Sequence, residues 1–262
     1  MQLTLFQADA FTDHVFGGNP AAVCPLDTWL PDALMQAIAA ENNLAETAFF
    51  VPEGDGYRLR WFTPTLEIDL CGHATLATAH IIWQHLGYAG DEIRFYTRSG
   101  CLPVTRRAAG YTLDFPSRPP VAVVPSEDLL QAIGQQPVWA GRSRDYLVLL
   151  DSEAAVRALR PDLVAVARLD AIGLIVTAPG EQVDFVSRFF GPQAGVPEDP
   201  VTGSAHSTLI PFWAERLGKT QLEAWQVSQR GGVLHCELIG DRVRMTGQAV
   251  TYMKADIFIP FS

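Results

Sequence analysis

Apolar and polar positions alternate with period two over Tyr57-Arg58-Leu59-Arg60-Trp61 and over Leu66-Glu67-Ile68-Asp69-Leu70. That is the pattern of strands with one face buried and the other wet or lining a site. Met1–Gln7 reads as a further, opening strand. Between residues 31 and 42 the period lengthens. Leu34, Met35, Ile38 and Ala39 form a helical stripe, and Pro31 and Asp32 suit a helix's first turn. A second helix is predicted from about His73 to Leu86, with Gly87 placed to end it. Short strands follow over 93–97, 101–104 and 111–115. Ser117-Arg118-Pro119-Pro120 reads as a linker, because paired prolines resist both helix and central strand. Beyond it the pattern predicts a short helix over 127–133, a strand over 146–150, and helical material over 153–169 broken by Pro161. Strands over 174–177 and 183–189 lead to a glycine- and proline-rich turn. A third strong helix is predicted over 204–217, stopped by Gly218, and strands over 225–228, 234–238, 243–246 and 250–252 close the chain.

The two halves of this pattern are alike. Phe62-Thr63-Pro64 leads through Cys71-Gly72-His73 into a helix carrying Trp83; Phe190-Gly191-Pro192 leads through Asp199 and Gly203-Ser204 into a helix carrying Trp213. The phenylalanines are offset by 128 residues and the tryptophans by 130, about half the chain. Each half reads as strands, a glycine turn, one central helix and more strands, the pattern of two related domains.

Composition narrows the partners. Of 262 residues 48% are hydrophobic, 18% charged and 10% aromatic, which suits a folded chain with a sizeable core. Nineteen Lys and Arg face 29 Asp and Glu, a formal charge of −10 with no basic cluster, which excludes nucleic acid as an expected partner. No apolar run approaches the ~20 residues that cross a bilayer, and the first residues lack a signal peptide's basic and apolar regions. Four scattered cysteines without CxxC then suggest reduced thiols and a cytoplasmic protein.

Several residues invite chemistry. Glu46, at the start of an apolar strand, is flanked by Ala45, Ala48 and Phe49; a carboxyl stripped of water there can take a proton from carbon and return it. The alternative is an exposed strand-edge glutamate. His73 follows Gly72 at a helix start, where the dipole favours a neutral imidazole able to hydrogen-bond a ligand or relay a proton. Asp199 and Ser204 are both helix N-capping residue types, so capping is the alternative to a ligand role. Two helix starts would attract a small anion if they face one cleft. Cys71-Gly72-His73 with His80 has no zinc spacing, so no metal is expected. Gly203-Ser204-Ala205-His206 is not the GxSxG of a hydrolase elbow, and neither GxGxxG nor a P-loop is present.

Four motifs in order then resemble one family. These are Asp9-Ala10-Phe11-Thr12 with Phe16-Gly17-Gly18-Asn19-Pro20-Ala21, Glu46-Thr47-Ala48-Phe49, Phe62-Thr63-Pro64 with Glu67 and Cys71-Gly72-His73-Ala74-Thr75, and Glu198-Asp199-Pro200-Val201-Thr202-Gly203-Ser204-Ala205. Together they resemble the PhzF-like phenazine-biosynthesis isomerases over essentially the whole chain. The resemblance implies an α+β fold like that of diaminopimelate epimerase: two similar domains, each a curved sheet around a central helix, with the site in the cleft between them. It implies a first domain of residues 1–116 joined by 248–262 and a second of 117–247. It implies a metal-free and cofactor-free isomerisation of a trans-2,3-dihydro-3-hydroxyanthranilate-like acid. Glu46 is then the acid–base, His73, Asp199 and Ser204 its polar partners, and Asn19, Gly72, Thr202 and Gly203 substrate-binding. A homodimer is a further family expectation.

The chain also departs from the family. Gln229-Arg230-Gly231-Gly232-Val233-Leu234-His235 stands where the family often carries Gln-Gly…Gly-Arg, so the acid turned over need not be the phenazine precursor. Cys71 lies near a catalytic cysteine position of the epimerases, while Asp199-Pro200-Val201 offers no second one. A cysteine-assisted racemase and a non-catalytic binding protein therefore stand as alternatives.

Overall fold

The computed structural model describes residues 1–259, so the last three residues of the expected 248–262 segment lie outside the described residues. The chain divides into two compact units, Met1–Asp114 with the segment from Thr246 onward, and Phe115–Met245.

The first unit contains β1 (Gln2–Ala10), β2 (Asn19–Pro25), α1 (Asp32–Asn42), β3 (Glu46–Glu53), β4 (Gly56–Phe62), β5 (Glu67–Ile68), α2 (Gly72–His85), β6 (Glu92–Thr97), β7 (Gly100–Arg107) and β8 (Gly110–Pro116), which runs into the second unit. β2 and β3 are parallel, linked by α1, and β3 turns back on β4 in an antiparallel ladder. β5 lies antiparallel to β4, and α2 then carries the chain over to β6, parallel to β4. α2 buries 12 of its 14 residues against β1, β2 and β3. Its small residues (Ala74, Thr75, Ala77, Thr78 and Ala79) let backbone strands approach closely. α1 supplies Met35, Ile38 and Ala39 to a cluster with Cys24, Phe49 and Phe62.

The second unit contains β9 (Val121–Ala122), α3 (Glu127–Ile133), β10 (Trp139–Arg142), β11 (Tyr146–Leu149), α4 (Glu153–Ala158), α5 (Leu163–Arg168), β12 (Leu174–Pro179), β13 (Phe185–Gly191), β14 (Val196–Asp199), α6 (Gly203–Leu217), β15 (Gln221–Gln226), β16 (Gly232–Ile239) and β17 (Arg242–Gly247), which leads into the first unit's closing strand, β18 (Ala249–Phe258). A 3₁₀ turn spans Pro192–Ala194. α6 buries 11 of its 15 residues; its Trp213 stacks on Phe185 at 5.6 Å and donates to Thr177 Oγ1 at 3.0 Å.

The order of elements repeats. β14 is antiparallel to β13, and α6 then leads to β15 parallel to β13, as β5, α2 and β6 do about β4. β11 and β12 are parallel across a helical connection, as are β2 and β3. β18 pairs antiparallel with β1 from Ala10↔Ala249 to Gln2↔Phe258.

The expected strand over 66–70 shrinks to Glu67–Ile68. The Thr63 hydroxyl accepts from the Thr65 and Leu66 N–H groups, which curls the chain before the strand, and only Glu67 and Ile68 pair with β4. β2 and β10 carry no alternation and were not expected. Asn19–Pro25 is buried almost throughout and consists of small apolar residues between prolines, so its two faces are chemically alike. Among the described residues no helix is long and apolar enough to cross a membrane.

Candidate active site

β2 begins at Asn19, β3 at Glu46 and α2 at Gly72, and the pairing of β2 with β3 (Ala21↔Glu46) brings these starts together in the first unit. His73, the second residue of α2, is 3% exposed and Glu46 9%. Glu46 Oε2 lies 3.0 Å from His73 Nε2. The contact is one of charge at close range; neither atom completes an aligned hydrogen bond. On the other side of the ring, Nδ1 lies 3.1 Å from Asn19 Nδ2 and 3.6 Å from Cys71 Sγ. With the Asn19 amide nitrogen facing it, Nδ1 is an acceptor and the ring is neutral with its proton on Nε2, towards Glu46; a charged ring, with a proton on both nitrogens, is met by the same amide turned over so that Oδ1 accepts from Nδ1.

The expectation of a neutral His73 is corrected here. Burial pulls its pKa down, but the acidic groups around the ring, Cys71 and then Glu46, outweigh burial and raise it well above the ordinary histidine value. The Cys71 thiol is itself pushed up to about 11, by burial and by Glu46, so at neutral pH it holds its proton. A full charge at 3.0 Å in a dry site exceeds the half charge of a helix start. The consequence for stability has a definite sign. A raised folded-state pKa contributes stability that is complete below about pH 6.5 and is lost as pH rises through the folded value. Urea unfolding of the protein and of His73→Gln between pH 6 and 10 measures it. The difference in stability between the two narrows towards the alkaline end, and a constant difference contradicts the pairing.

Glu46, Cys71 and His73 place an oxygen, a sulfur and a nitrogen within 4.8 Å of one another, the one grouping of this kind among the described residues. Three protein ligands are the number found at catalytic zinc. Holding a metal here means removing the proton from a thiol whose pKa is raised and separating His73 from Glu46. Spacing alone hid the grouping, because Glu46 lies far upstream of Cys71 and His73.

The second unit gathers the remaining candidates. Asp199 ends β14, Thr202 is the N-cap of α6, and Gly203 and Ser204 are its first two residues. The N-cap position belongs to Thr202, which makes no side-chain cap hydrogen bond. The Thr202 hydroxyl donates instead to Asp199 Oδ2 at 2.5 Å. Gln226 ties this turn together: its Oε1 accepts from Thr202 N at 2.8 Å and its Nε2 donates to the Asp199 carbonyl at 2.8 Å. Arg144 Nη2 donates to Ser204 Oγ at 2.9 Å. Sequence reasoning missed Gln226 and Arg144. The only trace of Arg144 was a basic residue in a turn between strands of an acidic chain.

The family model described as phenazine biosynthesis-like protein matches residues 8–255. An uncharacterized isomerase of Pseudomonas aeruginosa is 51% identical over 259 residues, covering 99% of this chain and all of that one. A crystal structure of a PhzF-family phenazine biosynthesis protein from Enterococcus faecalis superposes with a TM-score of 0.96 at 47% identity, covering 99% of this chain and all of the other. A hydroxyproline epimerase from Agrobacterium vitis, solved with trans-4-hydroxy-L-proline, shares the fold alone, at a TM-score of 0.64 and 9% identity over 98% of this chain and 92% of that one.

Proposed function

The chain belongs to the phenazine biosynthesis-like protein family, whose members share the fold of diaminopimelate epimerase-like isomerases, and we propose that it is itself an isomerase that moves a proton on a small carboxylate-bearing substrate without metal or cofactor. Glu46 removes the proton from carbon and returns it. His73, charged or sharing its Nε2 proton, steadies the Glu46 carboxylate and the negative charge that develops on the substrate. Asn19 orients His73, and Asp199, Thr202, Gly203, Ser204 and Gly72 bind substrate. The substrate is an acid of the dihydro-3-hydroxyanthranilate type. The same reading carries a cytoplasmic home, with which four free cysteines agree, and a homodimer, which rests on the family resemblance.

The observation that carries the proposal is a nearly buried carboxyl 3.0 Å from an imidazole nitrogen. A carboxyl so placed needs no metal to exchange a proton with carbon. Cys71, 3.6 Å from the same imidazole, supports the rival racemase reading, but its pKa near 11 leaves almost no thiolate at neutral pH. The test is a screen of small cyclic and amino acids in D₂O by proton NMR, run with and without chelator. Uptake of deuterium at carbon by at least one acid, unchanged by chelator, is expected. Uptake that disappears with chelator contradicts the metal-free mechanism, and a complete absence of uptake favours a binding protein.

A further inference from the structure

Arginines in this acidic chain commonly face carboxylates of their own. Arg58 meets Glu53, Arg94 meets Asp55 and Glu92, and Arg188 meets Glu198. Arg118, in the second unit, does not follow that rule, and Arg144 beside it in the same unit divides its head between a carboxylate and a hydroxyl. Arg144 Nε and Nη2 lie 3.2 and 3.0 Å from Asp145 Oδ2, and Nη2 also reaches Ser204 Oγ. Arg118 is fixed by its backbone, whose N–H donates to the Ser207 carbonyl of α6 at 2.8 Å. Its half-buried guanidinium makes no hydrogen bond or ion pair among the described residues. Burial first, and then Arg144, hold Arg118 below the ordinary arginine value, against a smaller opposing pull from Asp145. The Arg118 backbone and the Arg144 side chain thus both meet the first turns of α6, at Ser207 and Ser204, and Asp145 is the carboxylate that Arg144 pairs with there. Asp145 is 1% exposed and leaves Oδ1 without a hydrogen-bond partner, so it is not satisfying Arg118 either. A half-buried guanidinium with no partner of its own, beside an arginine whose one carboxylate is already engaged, is stabilised when a further anion joins it.

We propose that Arg118, Arg144 and the Ser204 hydroxyl form an oxyanion subsite that takes the substrate's carboxylate and makes the enzyme select acids over their amides. The proposal rests on the isomerase reading given above, in which Ser204 touches substrate. A guanidinium fork matches a planar carboxylate in two parallel hydrogen bonds, and Arg144 Nη1 and all of the Arg118 head are uncommitted to any side chain. Ser204, already held by Arg144, adds a hydroxyl donor beside them.

The probes are malonate and its uncharged diamide at constant ionic strength, with binding to the full-length protein followed by equilibrium dialysis and thermal unfolding. Malonate is expected to bind saturably and raise the unfolding midpoint, while malonamide does neither. Arg118→Gln and Arg144→Gln should each weaken malonate binding about tenfold or more, the loss of a charge-assisted hydrogen bond. Arg144→Lys, which keeps the charge and loses the fork, should fall between. Arg118→Gln removes a head without internal partners, so its unfolding midpoint without ligand should match the wild type. Malonate binding that is equal in wild type and both Gln variants, or an equal response to malonamide, overturns the subsite. Glu46→Gln separates the two ideas: it should retain malonate binding in full while losing deuterium exchange. Arginine-dependent binding with no Glu46-dependent exchange of any acid sinks the isomerase reading and the substrate role with it, leaving an anion site.

Discussion

Glu46→Gln is expected to lower the rate of solvent deuterium exchange into the substrate by about 10²- to 10⁴-fold, the usual worth of a positioned general acid–base. The substitution keeps the shape of the side chain and leaves an amide oxygen able to accept from His73 Nε2, so the fold and the imidazole's position should survive. Only the proton-carrying capacity goes. Cys71→Ala provides the contrast. Its thiol has a pKa near 11, so removing it should cost far less than the Glu46 change. Exchange measured by NMR at saturating substrate decides between them. If Cys71→Ala loses more activity than Glu46→Gln, the thiol is the proton carrier and the racemase reading replaces this one.

Gly18→Ala should be the most damaging small substitution in the first unit. Gly18 has φ +58°, and a methyl group there would sit 2.1 Å from the Ala10 carbonyl oxygen and 2.8 Å from Thr12 Cγ2. Neither the carbonyl nor the glycine can move cheaply, because Ala10 pairs with Asn19 in the β1–β2 ladder. Moving Asn19 in turn disturbs its 3.1 Å contact with His73. The loop already carries strain: Phe11 and Phe16 have φ values of 62° and 71°, unusual for side chains of this size. A loss of about 2–4 kcal/mol in urea unfolding is expected, together with a loss of exchange activity. Gly54→Ala is the control, since Gly54 has φ +59° with nothing within 4 Å of the added methyl. It should cost about 1 kcal/mol. Equal losses at the two positions show that the positive φ alone is responsible and that the backbone clash is not.

The long helices were the most legible part of the chain. α1, α2 and α6 combine apolar residues at helical spacing with a proline or glycine turn at one end, and their observed bounds fall within a residue or two of those expected. The similarity of the halves was carried by a few aromatic and glycine positions, and it reappears as the same succession of parallel and antiparallel pairs about β4 and β13. Strands of small residues were invisible. β2 lacks alternation because it is buried on both faces, and β9 is too short to carry a period.

At the site, the residue types were readable and their electrostatics were not. Glu46 and His73 lie 27 positions apart in sequence, and nothing in either segment states that β2–β3 pairing and the start of α2 bring them to 3.0 Å. The helix start was the only charge near His73 that the sequence revealed, so it argued for a neutral ring. The structure sets Cys71 and Glu46 against the ring, and together they pull the opposite way. Arg144 and Gln226 were hidden for a related reason. Each reaches the start of α6 from a strand or turn remote in sequence, through one side-chain contact.

The most direct test is a crystal structure of Glu46→Gln bound to the acid that the wild-type enzyme exchanges. The carbon that takes up deuterium should lie against the side chain at position 46, within hydrogen-bonding reach of its amide, with His73 alongside. A fully occupied ligand whose exchanging carbon faces Cys71 or a surface remote from position 46 would contradict the assignment of Glu46 as the proton carrier.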